Sequence, residues 1–419
     1  MNSSTATADA PGVDTAGYAP SRVGLLFGAF TLFFLSFVIC GDVNSVPQLF
    51  FQRFYPDRKT LLLSAGLFAS TIAATFAVML SRKYQLSPRA LVTAMLASVA
   101  GTLILYSTSS GALFLLTLVT IHFAANYLTN QLDNASVVRA GEQRRFNDAA
   151  GVLARLLGML GAPAFLTSFY DDKLIVLVGA AAIGLIATVG AERLLSMPPV
   201  EAGIGEAVIK SDEPPDRADF FLFAFAASIY IALYLFGANM IYLLRDRLLI
   251  PHPETGGGTA IVAMFGSALL ANGAAAFVQR KLPERTTRRI RLLPLAVVAV
   301  VLFCLGGVLA TGFRPGFHIF LGGASFLGLS YGVFLWEVRD YTSSAARNDG
   351  KSILVSWFNN VGNLSSLIAF ALMLAFAATR ANAPASYYVR ILWAIGGVPM
   401  AGLIFLAAAS RLVRISPSH

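Results

Sequence analysis

The sequence predicts an all-α, polytopic membrane protein whose twelve transmembrane helices form two six-helix halves. Composition is the first of three observations that predict this fold. Of the 419 residues, 56% are hydrophobic and only 13% are charged, whereas soluble domains have about 25% charged residues. The second observation is the number of long apolar runs, and the third is an internal repeat at an offset near half the chain length.

Twelve apolar runs are long enough to cross a bilayer, which takes about 20 residues per helix. Apolar residues are continuous in these runs and do not alternate with polar ones, which excludes a closed β-barrel. The predicted spans 1 to 12 cover residues 23–43, 60–80, 90–108, 112–138, 148–170, 173–194, 219–244, 259–279, 292–311, 316–338, 352–378 and 388–410.

Basic residues indicate how these spans are oriented in the membrane. Lys and Arg are concentrated in the loops on the side of the N-terminus, as in SRK at 81–83, RAGEQRR at 139–145 and QRKLPERTTRRIR at 279–291. Cytoplasmic loops have such an excess, so we expect both termini in the cytoplasm and the protein in the cytoplasmic (inner) membrane. The net charge of +9 therefore reflects topology and contact with membrane lipid, and we expect no nucleic-acid partner.

Polar stretches divide the chain into segments. We expect a disordered cytoplasmic N-terminus at 1–21, which has no basic residue and so does not resemble a signal peptide. An N-terminal six-helix half follows at 22–194, then a cytoplasmic linker rich in Pro, Gly and acidic residues at 195–218. The C-terminal six-helix half covers 219–412, and a cytoplasmic tail covers 413–419.

The two halves share a short internal repeat. NDAAGVLARLLGMLG at 147–161 aligns with NDGKSILVSWFNNVG at 348–362, each on the fifth span of its half. Both copies cross the membrane in the same direction, so the repeat is parallel and its axis lies along the membrane normal. The identical pairs are Asn147 with Asn348, Asp148 with Asp349, Leu153 with Leu354, and Gly161 with Gly362.

This organisation of twelve helices, six plus six, with a central cytoplasmic loop, resembles the major facilitator superfamily of transporters over roughly residues 22–412. The superfamily has a Gly-x-x-x-Asp-Arg-x-Gly-Arg signature between spans 2 and 3. Here that loop is LSRKYQLSPRAL at 80–91, with Ser81 in place of the aspartate. The gating ion pair that the resemblance implies therefore lacks its acid at this loop.

The fifth span has a second motif. Arg155-x-x-Gly158-x-x-Gly161 is similar to the Arg-x-x-Gly-x-x-Gly of sugar and nucleoside proton symporters related to lactose permease. That resemblance implies that Arg155 contacts substrate and pairs with an acid on span 4. GMLGAPAF at 158–165 is also similar to the Gly-Pro signature of drug–proton antiporters, although Ala162 separates Gly161 from Pro163. The motif leaves both import and export open, and packing alone is a further reading of the two glycines.

Span 4 has the longest polar face within the membrane. His122, Asn126, Asn130 and Asp133 follow one another at spacings of four, four and three residues, which places them on one side of a helix. Such a face lines a solvated path or forms hydrogen bonds between helices. Asp133 lies within reach of Arg155, so we expect an ion pair. Its role is a gate or substrate clamp, or a static pair that fixes helix register.

Other candidate substrate-binding or coupling residues are scattered over spans 1, 7, 10 and 11. Asp42 lies at the end of span 1. It is either an entry group for protons or substrate or an ordinary solvated residue at a helix end. Glu337 is a proton carrier or the partner of Arg339 in a loop salt bridge. The remaining candidates are Asn239 on span 7, Tyr331 on span 10, and Trp357, whose ring offers a stacking surface, with Asn360 on span 11.

The function that these features predict is a secondary active transporter. We expect it to move a small polar organic solute across the cytoplasmic membrane by alternating access, coupled to protons, as a monomer without a cofactor or metal. The alternative is a drug or metabolite efflux antiporter of the same fold. A lipid-modifying membrane enzyme and a non-transporting sensor are less well supported, because the sequence has no Gly-x-Ser-x-Gly motif, nucleotide-binding loop or attached signalling domain. The two cysteines, Cys40 and Cys304, are predicted to be packing residues.

Overall fold

The computed structural model describes residues 22–41, 45–140, 143–169, 172–198, 215–281, 292–348, 352–378 and 384–415. The predicted N-terminal lead-in at 1–21 lies outside the described residues, as do most of the predicted linker and residues 416–419 of the predicted tail. The described part of the chain is helical. It forms twelve long helices and one short one: α1 (Arg22–Cys40), α2 (Val46–Phe54), α3 (Lys59–Lys83), α4 (Pro88–Ser107), α5 (Gly111–Ala140), α6 (Arg144–Phe169), α7 (Lys173–Ser196), α8 (Arg217–Tyr242), α9 (Pro253–Lys281), α10 (Leu292–Ala310), α11 (Phe317–Asn348), α12 (Ser352–Ala378) and α13 (Pro384–Ile415).

The long helices match the twelve predicted spans, and the chain is a multi-pass membrane protein. Within the described residues, eleven helices are long and apolar enough to cross a membrane, and α6 has a shorter apolar stretch, Leu153–Phe165. Several helices continue past the predicted span; α11 runs to Asn348, for example. Hydropathy detects the part of a helix that is in lipid, whereas helix formation continues through polar residues in water.

The short helix α2 is absent from the sequence prediction. It has nine residues, VPQLFFQRF, with a proline in its first turn, and it buries most of its apolar side chains. Proline is favoured at this position because its missing N–H has no partner at a helix start in any case. At nine residues α2 is too short to cross the membrane, so hydropathy does not mark it as a span.

The first six long helices and the last six pack in the same way. In each set the first helix packs against the fifth and the sixth, the second against the fourth, and the third against the fourth and the sixth. In the first set these are α1, α3, α4, α5, α6 and α7; in the second they are α8 to α13. The helix packing therefore repeats between the two sets. The similar sequences at 147–161 and 348–362 lie on the fifth helix of each set, so the sequence repeat and the packing repeat agree.

The two sets meet through reciprocal contacts. The second helix of the first set, α3, packs against the fifth helix of the second, α12, and α6 packs against α9 in the same relation. Such an exchange of equivalent surfaces is the expected result of a two-fold repeat axis between the sets. Because the chain crosses the bundle an even number of times, α1 begins and α13 ends on one side, here named the termini side.

Gly158 lets α1 and α6 approach closely. A Cβ atom at this position would collide with the backbone carbonyl of Phe33 and the backbone nitrogen of Phe37, so any side chain would push the two helices apart. Gly161 meets only the rings of Phe33 and Phe37 at ordinary contact distances. The packing reading of Gly158 therefore has a direct structural basis.

The two cysteines lie in different environments. Cys40 is buried at the end of α1, as predicted, whereas Cys304 is exposed on the surface of the bundle. The packing prediction for Cys304 was therefore wrong. In a membrane protein, an apolar run does not distinguish side chains that face protein from those that face lipid.

Candidate functional site

Arg155 of α6 and Asp133 of α5 form an ion pair. Arg155 Nη2 lies 2.8 Å from Asp133 Oδ1, and the two side chains are 31% and 35% exposed. The ion pair predicted from the sequence is confirmed, and its role stays a prediction. Because charged side chains do not face hydrocarbon, we expect the exposed part of this pair to be hydrated.

Arg155 has hydrogen-bonding capacity that the protein does not use. Its Nε atom is buried and has no hydrogen-bond partner among the described residues. A guanidinium has five N–H donors in a fixed fork, and a buried donor without a partner costs free energy. A ligand oxygen would meet the exposed part of the guanidinium, whereas Nε itself is closed to solvent in this conformation.

The polar face of α5 becomes more buried with distance from this pair. Asn130 is half-buried, whereas Asn126 and His122 are almost completely buried. The Asn126 side-chain amide donates to the carbonyl oxygen of His122 at 2.9 Å. The face therefore runs from open space at Asp133 into the closed interior at His122.

The candidates on the last six helices lie in separate environments. Tyr331 is buried and packs edge-on against Tyr230, with ring centroids 6.1 Å apart and a hydrogen bond between the two hydroxyls. Trp357 is half-buried and packs against Phe223 at 5.4 Å. Glu337 and Asn360 are half-buried, and each has an interaction partner. Asp42 lies outside the described residues.

Asn239 is completely buried and belongs to a packed network. It accepts a hydrogen bond from the Tyr387 hydroxyl at 2.9 Å, and its amide donates to the Leu235 carbonyl at 2.8 Å. The same amide lies 3.5 Å from the sulfur of Met373. In this conformation Asn239 holds α8, α12 and α13 together and is not open to a solute.

A second charged pair joins the two sets of six helices on the side opposite the termini. Lys59 Nζ of α3 lies 2.7 Å from Asp246 Oδ2, just after α8, and the side chains are 15% and 26% exposed. Asp246 also accepts a hydrogen bond from the Tyr388 hydroxyl at 2.6 Å. Lys59 in turn donates to Gln52 at 2.9 Å and lies 4.9 Å from the centre of the Tyr242 ring, a favourable cation–π distance.

Gln48 of α2 extends this connection. Its amide nitrogen donates to the carbonyl of Gly237 at 3.0 Å, and its amide oxygen accepts from the backbone N–H of Ile241 at 3.1 Å. The Tyr242 hydroxyl donates to the carbonyl of Gln48 at 3.1 Å. We name the set Gln48, Lys59, Tyr242, Asp246 and Tyr388 the closure cluster, because it ties the first six helices to the last six at one end of the bundle.

Sequence reasoning missed the closure cluster. Lys59 and Asp246 are 187 residues apart and lie at span ends, where charges are ordinary. The one available signal was Gln48, a polar residue within the apolar stretch of α2.

On the termini side, the loop between α3 and α4 is held to α5. Gln131 donates to the carbonyls of Ser81 at 2.5 Å and Tyr84 at 3.0 Å, and the Tyr127 hydroxyl donates to the same Tyr84 carbonyl at 2.7 Å. The Ser81 hydroxyl donates to its own helix, at Val78. Neutral hydrogen bonds within the first six helices thus anchor the loop where the resemblance implied an ion pair.

No family model and no curated protein matches this sequence, but solved structures match the fold. A crystal structure of a point mutant of the nucleoside transporter NupG aligns with a TM-score of 0.63 at 14% identity, covering 92% of this chain and 99% of that one. A bacterial homolog of the human lysosomal transporter Spinster, in an inward-facing and occupied conformation, aligns with a TM-score of 0.60 at 14% identity, covering 96% and 100%. The predicted fold of twelve helices in two six-helix halves is thereby confirmed.

Proposed function

We propose that this protein is a secondary active transporter that moves a small polar organic solute across the cytoplasmic membrane, coupled to protons. The observation that supports this most is the asymmetry of the bundle. The closure cluster ties the two sets of helices together at one end, while the Arg155–Asp133 pair is part-exposed toward the other. Alternating access requires this asymmetry, because a substrate site must be open to one side at a time. The fold shared with a nucleoside transporter and with a Spinster homolog supports the same function.

The orientation follows from the loop charges. With the termini side in the cytoplasm, the closure cluster lies on the outer side and the structure represents an inward-facing state. The similar Spinster homolog was solved in an inward-facing conformation, which agrees with this assignment.

The substrate is proposed to bind at the Arg155–Asp133 pair. The part-exposed guanidinium of Arg155 donates to a substrate oxygen, and the free lone pairs of the Asp133 carboxylate accept from a hydroxyl or amine. A solute with adjacent hydroxyl groups, such as a sugar or the ribose of a nucleoside, offers both. Gly158 packs against the backbone of α1 and so fixes the position of α6 and of Arg155.

The test begins with ligand-induced thermal stabilisation of the purified protein by sugars, nucleosides, amino acids, organic acids and cationic drugs. Each stabilising compound is then measured, radiolabelled, in proteoliposomes with imposed proton gradients. We expect at least one compound to accumulate when the gradient is directed inward. Stimulation by the opposite gradient would assign the efflux-antiporter alternative. If no stabilising compound shows gradient-dependent flux, the proposed function is wrong.

A further inference from the structure

His122 is a buried titratable residue that the proposed substrate site does not use. It lies midway along α5, 6% exposed, and its ring interacts with the backbone of Ser70 on α3. Its Nδ1 atom is buried and has no hydrogen-bond partner among the described residues. Buried polar atoms are nearly always paired with protein or water, so we expect a bound water as the partner of this nitrogen.

Thr71, the residue after Ser70, has a second such atom. It is 0% exposed, and its hydroxyl also has no partner within the described part of the chain. The neighbouring hydroxyls of Ser64, Ser70 and Thr75 all donate to carbonyls of α3 itself. Thr71 therefore differs from these three hydroxyls, and it directly follows Ser70, whose backbone the His122 ring contacts.

This site lies beside the interface that opens in alternating access. Thr71 is seven residues from Ser64, which is two turns along the same helix face. The Ser64 hydroxyl lies beside the Tyr387 hydroxyl of α13, and α3 packs against α12. When the closure cluster separates, water from the outer side reaches this face of α3. In the present structure the same face is sealed.

His122 also has a polar route toward the termini side. Asn126 and Asn130 follow at one-turn intervals along α5, and Asp133 lies about 16 Å away at the open end. Burial decreases steadily along this route. The residue is thus placed between a sealed interface on one side and a partly hydrated polar face on the other.

On α5 and the helices packed against it, the charged residues occupy sequence positions toward the helix ends or at the Arg155–Asp133 level. Tyr127 is the ionisable residue nearest to His122 along α5, and its hydroxyl donates to the Tyr84 carbonyl. The ionisable positions on these helices are Arg22 and Cys40 on α1; Lys59, Arg82 and Lys83 on α3; Arg89 and Tyr106 on α4; Tyr127, Asp133 and Arg139 on α5; Arg144, Arg145, Asp148 and Arg155 on α6; and Lys173, Glu192 and Arg193 on α7.

We propose that His122 is the proton-binding group of the transport cycle and that Thr71 is its hydrogen-bond partner through a bound water. The proton is taken up when the opened interface admits water, and it is released along the face of α5 when the interface seals and no charge remains to stabilise an imidazolium. The present structure is the proton-free state. This proposal rests on the proposed function, which it deepens by naming the coupling residue.

The test observes the proton directly and needs no substrate. The full-length protein, labelled with ¹⁵N at the histidine ring nitrogens, is titrated in lipid nanodiscs from about pH 5 to 9, a range that spans ordinary imidazole titration. His122→Gln identifies the His122 signals, and His318→Gln, at an exposed position, is the matched control. We expect His122 to stay neutral in the closed wild type and to protonate in Asp246→Asn, in which the closure cluster is weakened. Identical His122 titration in both proteins would overturn the proposal.

A second pair of variants leaves His122 in place, so the proposal can be tested even if the His122 variant does not fold. Thr71→Val removes the hydroxyl at similar volume, and Thr75→Val does the same one turn away, where the hydroxyl is already paired. We expect Thr71→Val to shift His122 titration in the Asp246→Asn background and Thr75→Val to leave it unchanged. Equal effects of the two would contradict a specific partner role for Thr71. If the titration behaves as expected and no compound is transported, the proposed function fails while the proton site stands.

Discussion

Lys59 and Asp246 lie 2.7 Å apart although one belongs to the first six helices and the other to the last six. Asp246 also accepts a hydrogen bond from the Tyr388 hydroxyl, and Lys59 also donates one to Gln52. If the two sets of helices separate during transport, as proposed, a charged pair shared between them is suited to gating, because its contribution is present in one conformation only. Partly exposed pairs contribute on the order of 1 kcal/mol, which is enough to bias an equilibrium without locking it.

Asp246→Asn is expected to shift the population toward opening on the outer side. Cys40 is the natural reporter, because it is buried at that end of α1 and lies close to the hydroxyls of Tyr234 and Tyr331 on the other set. In a Cys304→Ser background, a membrane-impermeant thiol reagent added outside should label Cys40 about fivefold faster in Asp246→Asn, as expected from ~1 kcal/mol.

Asp57→Asn is the matched control for this measurement, since Asp57 is exposed in the same region and is a neighbour of Lys59 in sequence. It should label at the wild-type rate. The exchanged pair Lys59→Asp with Asp246→Lys should return the rate toward wild type. Equal labelling rates in Asp246→Asn and Asp57→Asn would show that the Lys59–Asp246 pair does not control opening.

Gln48→Met should destabilise the closed state. The substitution conserves volume but removes the side-chain bonds to the Gly237 carbonyl and the Ile241 N–H. The loss of buried hydrogen bonds costs about 1–3 kcal/mol. We expect a lower midpoint of thermal unfolding in detergent together with faster labelling of Cys40. A variant with unchanged stability and labelling would show that α2 does not contribute to closure.

Arg155→Ala should weaken binding of the stabilising ligand by more than tenfold and leave the protein folded. Asp133 is 35% exposed, so water hydrates it once its partner is gone and the penalty of an isolated buried charge is avoided. Arg155→Lys should restore binding only in part, because lysine lacks the planar fork of donors. Ligand titration followed by intrinsic fluorescence measures both. Global unfolding of Arg155→Ala would assign the pair a static role in helix register.

Gly158→Ala and Gly161→Ala should differ in stability. The new methyl group at 158 meets the α1 backbone at Phe33 and Phe37, whereas at 161 it meets only aromatic rings 3.8 to 3.9 Å away. Overpacking of this kind costs about 1–3 kcal/mol. Thermal unfolding in detergent should therefore rank Gly161→Ala near wild type and Gly158→Ala well below it. The reverse order would contradict the close approach of α1 and α6.

The Arg155–Asp133 pair could be predicted from the sequence because few charges lie inside the spans. Consecutive antiparallel helices place residues of equal depth side by side, so counting 1.5 Å per residue was sufficient. Lys59 and Asp246 could not be paired in this way. Their contact depends on how the two sets of helices meet, and no local spacing encodes that relation.

The environment of His122 was beyond sequence reasoning for a different reason. Periodicity along α5 assigns His122, Asn126 and Asp133 to one face, but the same face is open at Asp133 and sealed at His122. If the two sets move relative to each other, as proposed, the part of the face that is open differs between states. The periodic pattern of polar residues shows which of them share a face of α5, but not which neighbouring helices cover that face.

The proposed function requires that a proton gradient drive solute movement through this chain. The most direct test is flux of the most strongly stabilising compound into proteoliposomes with and without an imposed gradient, with Arg155→Ala as the binding-deficient control. We expect accumulation above equilibrium that collapses when a protonophore is added and is absent in Arg155→Ala. Flux that is indifferent to the gradient, or equal in the two proteins, would contradict it.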